Sequence, residues 1–342
     1  MANFALEPDP PRGRGQRLPR IAAMPETAAQ PELDAQYRTL REGAGMLDRS
    51  ERAKVKVAGA DGAEYLQGQL TNEIEGLAPG RGAYAALLDR KGRIQADMRV
   101  LRLAADEIWF DLEPEAGEPA LRHLRTYSIG RDLEIAEVGD EWAIISLLGP
   151  ASGAIAEFEG LSPEHAHRSR DWEGIEVIGV ATDQGVDLIT RAERASALRE
   201  RLTAAGAERI DAEAAEIVRI ESGRPRFGRE LGSETMPAEA GIVDRAVDFE
   251  KGCYIGQEPV ARLHYRGRPN RRLCGLRLSA PAAPGAALRL GDREVGSIGS
   301  ACVSPALGPI GLAVVRREAE IGDTVAVGED ARAEIAELPF AA

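Results

Sequence analysis

Lys251-Gly252-Cys253-Tyr254-Ile255-Gly256-Gln257-Glu258 packs a thiol, a cation and two glycines into one short stretch. A thiol reacts as its thiolate, whose share rises when a cation lies close, so Lys251 is a suitable neighbour for Cys253. Gly252 and Gly256 leave main-chain N–H groups uncovered and allow a turn that brings the thiol and several donors to one surface point. The plainer alternative is a buried cysteine at a strand-to-turn corner, with Lys251 merely solvated. His264 lies too far along the chain to act as a paired base unless the chain doubles back, which speaks against thiol-based acyl transfer. The basic run that follows, Arg262, His264, Arg266, Arg268, Arg271 and Arg272, offers planar forks matched to carboxylates, or else forms a solvated linker.

These residues need a scaffold, and the pattern around them reads as α+β. Lys54–Val57 alternates as a strand, Asp61 can cap a helix with Leu66, Leu70 and Ile74 on its apolar face, and strands at 84–88 and 92–103 meet at the turn Asp89-Arg90-Lys91-Gly92. Further strands are expected at 108–112, 142–148, 175–180 and 186–190, and helices at 119–127, 192–205 and 212–222. Beyond Arg271 the helical period gives way to glycine- and proline-punctuated strands at 273–278, 287–290, 310–315 and 324–327, which predicts a small antiparallel barrel over 271–342. Residues 33–265 then form an α+β region of two lobes, divided near 150, and residues 1–32, with five prolines in the first thirty, are expected to be a disordered tail. The glycine-flanked octapeptide falls just before the interdomain join, where ligand sites are common.

Composition sets the outer bounds. At 342 residues the chain exceeds one typical core, and its net charge of -13 argues against bulk electrostatic binding of nucleic acid while making the basic run stand out. Cysteines at 253, 274 and 302 show no paired spacing, so a reducing, cytoplasmic setting is expected. No metal is assigned: His165-Ala166-His167 reads as a solvated pair in a loop. No window approaches the apolar length that spans a bilayer, so no membrane role is expected.

The octapeptide and its continuation Pro259-Val260-Ala261-Arg262 resemble the YgfZ family, folate-binding relatives of the glycine-cleavage T-protein (aminomethyltransferase). Ala44–Asp48, Tyr65–Asn72, Asp89–Asp97, Glu221–Pro225 and Leu338-Pro339-Phe340 are similar to family landmarks in family order. The resemblance implies two α+β lobes and a C-terminal β-barrel around a central opening that holds tetrahydrofolate or a one-carbon derivative. It also implies a folate-binding accessory role in the assembly or repair of iron–sulfur proteins, with effects on cluster-dependent tRNA modification and with assembly factors or client proteins as partners. The alternative is a tetrahydrofolate-dependent aminomethyltransferase or demethylase of the T-protein type. Cys253 favours the first. T-proteins carry an acidic pair on the strand after the Asp89–Gly92 turn, where Ala96 and Asp97 stand here, so one carboxylate is kept and one lost.

Under this resemblance Cys253 and Asp97 are the catalytic candidates. Asp183 and Asp187, in Thr182-Asp183-Gln184-Gly185-Val186-Asp187, stand where T-proteins have a pterin-contacting acidic motif, each side chain shorter by one methylene; they either hold pterin N–H groups or cap a hairpin. Tyr254 and Arg262 complete the expected folate contacts, Arg262 toward the glutamyl tail. Lys251, Gly252, Gly256, Gln257 and Glu258 are the remaining motif residues. Alternation over Ile94–Val100 sends Ile94, Ala96, Met98 and Val100 to the core and leaves Gln95, Asp97 and Arg99 on the other face. If that face borders the opening, Asp97 meets the ligand; if it faces water, Asp97 and Arg99 are an ordinary surface pair. For Cys253 the jobs are nucleophile toward a folate adduct, transient sulfur or iron ligand, or redox-sensitive thiol.

Overall fold

A computed structural model describes residues 31–340. The expected tail therefore lies outside the described residues, apart from Pro31 and Glu32, which open the first helix. In chain order the first elements are α1 (Pro31–Glu42), β1 (Gly45–Asp48), β2 (Ala53–Ala58), α2 (Gly62–Gln69), β3 (Arg81–Leu88), β4 (Ile94–Ala104), β5 (Glu107–Leu112), α3 (Pro114–Tyr127), β6 (Glu134–Glu137) and β7 (Trp142–Leu148). There follow α4 (Ser152–Ile155), β8 (His167–Trp172), β9 (Ile175–Ala181), β10 (Gly185–Arg191), α5 (Ala195–Ala204), β11 (Glu208–Arg209), α6 (Ala212–Glu221), α7 (Val243–Ala246) and α8 (Gln257–Arg266). The chain ends in β12 (Arg271–Leu278), β13 (Ala287–Leu290), β14 (Arg293–Ser304), β15 (Gly308–Arg316), β16 (Thr324–Val327) and β17 (Ala331–Ala336).

The strands build a five-stranded sheet ordered β3-β4-β5-β2-β6, a six-stranded sheet ordered β11-β1-β7-β10-β9-β8, and a closed barrel ordered β12-β15-β14-β13-β16-β17. This is an α+β fold with a C-terminal antiparallel barrel. Strands β1 and β7 precede residue 150 yet belong to the six-stranded sheet, so the two lobes are interwoven rather than divided at one point near 150. Strand β7 is apolar almost throughout because it is central and covered on both faces: Ile145 and Leu147 pack with Leu198 and Leu202 of α5, while Ile144 packs toward the other sheet. The helix expected from Pro119 starts earlier, with Pro114 near its N-terminus, where a missing N–H costs nothing. Helix α8 and strands β14 and β17 were not expected. The strand β14 is glycine-interrupted and α8 carries proline and dense charge, so neither shows a clean apolar period.

The two sheets pack face to face through Leu101, Trp109, Ile144, Ile178 and Ile189, with α2 and α3 on the outer face of one and α5 on that of the other. Along each strand this shared face then turns polar at the same level. On β4 Leu101 is followed, two residues back, by Arg99 and then Asp97; on β5 Trp109 gives way to Asp111; on β10 Ile189 gives way to Asp187; on β7 Ile144 gives way to Ser146. Arg99 joins the two sheets there. Its Nε donates to Asp111 Oδ2 at 2.7 Å and its Nη1 to Asp187 Oδ2 at 2.6 Å, with every member of the set buried. Ser146 Oγ completes Asp187 by donating to Oδ1 at 2.6 Å.

Burial alone would raise the Asp111 carboxyl, but Arg99 and Arg52 more than offset it and hold it well below the usual carboxylate range. The stability it contributes is complete above the unfolded pKa of about 3.9 and is lost as pH falls from there toward the folded value. Arg99→Met should leave two buried carboxylates short of a partner and cost about 3–5 kcal/mol in urea unfolding at neutral pH, with a shallower loss of stability in acid. A cost below about 1 kcal/mol would show that this ion pair does not hold the sheets together.

Candidate functional site

Where the shared face turns polar, the sheets part around a cavity of about 430 Å³, closed on its far side by α6 and the segment 224–227. Asp97 and Arg99 from β4, Tyr84 from β3, Asp111 from β5 and Asp183 and Asp187 from around β10 line it. Thus the polar face of β4 borders a half-open cavity, and Asp97 and Arg99 are not an ordinary surface pair. Tyr84 lies opposite Arg99 in the ladder, and its hydroxyl donates to Asp97 Oδ2 at 2.7 Å. Among the described residues Asp97 Oδ1 and Arg99 Nη2 are buried without hydrogen-bond partners. Such atoms are costly to leave unpaired and mark a wall that lacks its complement.

Burial lifts the Asp97 carboxyl above its ordinary value, against the Tyr84 hydrogen bond and the charge of Arg52, which lower it. Burial and then Asp97 itself push the Tyr84 phenol well up, so it remains a donor. Asp111 and Glu113 go the other way. For Glu113 too, burial is outweighed by arginines: Arg52 and Arg226 converge on it, with Arg226 Nε at 2.9 Å, and lower its pKa. One cavity therefore holds a carboxyl whose pKa is raised beside carboxylates whose pKa values are lowered.

The two acids of the 182–187 segment are committed differently. Both oxygens of Asp187 are occupied, by Ser146 and Arg99, whereas Asp183 makes an ion pair of 2.8 Å with Arg224 and stays partly exposed at the mouth. His165 also lines this cavity, and His167 is buried, its ring bonded to the backbone oxygens of His165 and Arg102. The expectation of a solvated histidine pair is thereby corrected: the stretch before β8 is a turn, but residues 165 and 166 pair with 181 and 163, which turns it inward. Among the described residues no cluster of three His, Cys, Asp or Glu side chains is arranged to hold a metal, and no helix is long and apolar enough to cross a membrane.

The octapeptide lies elsewhere. Gly256 takes φ +81° to start α8, and a Cβ there would sit 2.4 Å from the Asp89 carbonyl, so only glycine lets the motif seat on the β3–β4 hairpin. Asp89 shapes that tip by accepting from the N–H groups of Lys91 and Arg93 at 2.8 and 2.9 Å. Gln257 and Glu258 begin α8, and Tyr254 is buried with Leu88, Ile94 and Val260, its hydroxyl unpartnered. Cys253 is exposed. Lys251 corrects the reading of a cation beside the thiol: it is buried, and its Nζ donates to the carbonyls of Gln67, Leu70 and Asn72 at 2.8, 2.7 and 2.6 Å. Gln67 lies in the last turn of α2 and Leu70 and Asn72 just beyond it, so the ammonium is spent there although burial lowers its pKa to about 8.

Arg262 sits on the outer face of α8, paired with Glu258, and neither it nor Tyr254 lines the central cavity. The arginines that do include Arg49, Arg52, Arg219, Arg224, Arg226 and Arg245. Sequence reasoning passed over Tyr84, Asp111 and Glu113 as site residues, and set Arg99 on the face of Asp97 without giving it a ligand role. The available signal was the alternation of Trp109, Asp111 and Glu113 with Ile108, Phe110 and Leu112, acids placed on a strand with no water-facing side.

Residues 14–251 match the GCVT N-terminal domain, and residues 271–341 match the glycine cleavage T-protein C-terminal barrel domain. A chloroplast protein of Arabidopsis thaliana, whose name calls it a transferase and no more, is 30% identical over 88% of this chain and 72% of its own length. An aminomethyltransferase of Rubrobacter xylanophilus is 30% identical over 96% of this chain and 91% of its own. Among solved structures, the glycine cleavage system aminomethyltransferase T of Bartonella henselae shares the fold, with a TM-score of 0.78 at 21% identity over 90% of this chain and 89% of that one.

Lys251→Met should remove three hydrogen bonds to carbonyls at and just beyond the end of α2 and cost about 2–4 kcal/mol in urea unfolding. An unchanged midpoint would show that water replaces the ammonium freely.

Proposed function

Because the chain belongs to the glycine-cleavage T-protein family, by its matches to the GCVT N-terminal domain and the T-protein barrel domain, we propose that the Asp97 cavity binds tetrahydrofolate or a one-carbon derivative and supports one-carbon (aminomethyl) transfer. The observation that carries this reading is the Asp97 carboxyl: half-buried, raised in pKa, held by Tyr84 through one oxygen and with the other oxygen buried without a partner among the described residues.

The donor set suits a folate. Asp97 Oδ1 and Arg99 Nη2 offer an unfilled acceptor and donor side by side on one strand face, the kind of pair that the N–H and carbonyl groups of a pterin complete. Asp183 is the acid of the 182–187 segment that reaches ligand, by exchanging its bond to Arg224; Asp187 acts through Arg99, which it orients. Arg224 and Arg245, partly exposed and each paired with an acid, suit the carboxylates of a glutamyl tail. Arg262 is too far round the molecular surface in this arrangement to share that task. Tetrahydrofolate, when bound, supplies a ring nitrogen that accepts a one-carbon unit. The protein's part is to exclude water with the Leu101–Trp109 layer below, to fix Asp97 through Tyr84, and to take or return a proton at Asp97 Oδ1.

A second reading rests on a separate observation. Cys253 is exposed on a loop fastened on both sides by Lys251 and Gly256, which suits presentation of a thiol to another protein. On this reading the chain is a YgfZ-type accessory factor in a cytoplasmic setting, with iron–sulfur assembly factors or client proteins as partners and folate as the bound ligand.

Anaerobic calorimetry with tetrahydrofolate, followed by transfer assays with an aminomethyl donor, separates these. Asp97→Asn should retain tetrahydrofolate affinity within about threefold and lower turnover by about 10²–10⁴. No binding to the unmodified protein would sink the folate assignment. Cys253→Ala should leave transfer unchanged; if it instead abolishes cluster-enzyme activity in cells while Asp97→Asn does not, the accessory reading replaces the transferase.

A further inference from the structure

We infer that His165 is a specificity-determining residue of the central cavity, its imidazole hydrogen-bonding the uncharged polar edge of the bound heterocycle. The inference rests on the folate reading above and adds to it a residue that the sequence had placed in solvent.

Several observations converge on His165. It lines the cavity with a side chain only 12% exposed, and its Nδ1 is buried without a hydrogen-bond partner among the described residues. Its backbone adopts φ +69°, a conformation that costs a side-chain-bearing residue on the order of 1 kcal/mol. That conformation is over-determined by its surroundings: the His165 N–H donates to the Ala181 carbonyl at 2.8 Å, and its own carbonyl is bonded to the His167 ring at 3.1 Å. Strain retained in this way, in a residue turned toward a cavity, points to use of the side chain.

The charged neighbours decide which form of the ring is present. The charges of Arg99 and Arg245 oppose its protonation more than those of Asp111 and Asp183 favour it, and Glu164 Oε1 stands 3.7 Å from Nε2 while already accepting from Arg245 at 2.6 Å. Burial first, then the two guanidiniums, push its pKa down to about 4, so the ring is uncharged near neutrality. In a cavity whose other polar groups are almost all ionic, His165 is then a neutral group that combines one donor and one acceptor. It complements a neutral heterocycle and brings no charge to a carboxylate, which separates its task from that of the arginines.

The test uses the full chain and two halves of the ligand, a tetrahydropterin without tail and p-aminobenzoylglutamate without pterin, with tetrahydrofolate as reference. His165→Gly keeps the positive φ at no strain and deletes only the ring. It should weaken tetrahydropterin and tetrahydrofolate roughly tenfold and leave p-aminobenzoylglutamate within about twofold. His165→Asn, which tolerates the same backbone and restores a donor and an acceptor, should recover affinity to within about threefold of the unmodified protein. Equal weakening of both halves, or no weakening of either, overturns the assignment to His165 while folate binding stands. Failure of the unmodified protein to bind tetrahydrofolate removes the folate reading itself, and this inference with it.

Discussion

Arg99 is the side chain on which the architecture turns. It leaves the five-stranded sheet, holds Asp111 on its neighbouring strand and crosses to Asp187 on the six-stranded sheet, all out of water. A buried charge is tolerated only when it is matched and hydrogen-bonded. The match here comes from two lobes at once, so the sheets can approach only in the alignment that brings Asp111, Arg99 and Asp187 level. The apolar layer of Leu101, Trp109, Ile144 and Ile189 supplies the driving force for that contact, and the ion pair sets where it ends. The cavity is what remains when the layer stops and the backbones keep diverging.

That arrangement also sorts the acids. Asp97, half-buried, and Asp111, buried, stand on adjacent strands of one sheet, yet desolvation dominates at Asp97 and raises it, whereas two guanidiniums dominate at Asp111 and lower it. Arg52 bonds to Asp111 and Glu113 and touches Asp97 only through its field. The environments of the two carboxyls thus drive their pKa values apart, with the lowered one among the charges that join the sheets.

The octapeptide obeys a different constraint. Its lysine is consumed by the open end of α2, its second glycine by contact with the hairpin tip, and its tyrosine by an apolar cluster, so most of its residues fasten the loop. What they leave outside is Cys253. The hairpin that receives the motif is the same one whose strands carry Tyr84 and Asp97, and Tyr254 packs with Ala86 and Leu88 on the Tyr84 face while the thiol stays at the surface.

Alternation and turn chemistry in the chain alone were enough for the strands at 142–148, 175–181 and 185–191, the helix at 212–221, the β3–β4 hairpin and the barrel, because these depend on residues close in sequence. The same alternation put Asp97 and Arg99 together on one strand face. It left open whether that face met water or a cavity, since that depends on a second sheet whose strands come from distant parts of the chain. Lys251 and His165 show the limit most plainly. Lys251 looked like the partner of Cys253, two residues away, but its charge is taken by carbonyls some 180 residues earlier in the chain. His165 looked solvated, but pairing with Ala181 turns it inward among guanidiniums. Local periodicity determined which elements form and which faces are apolar; burial and long-range electrostatics, which exist only once the sheets have met, decided which polar residues became a site.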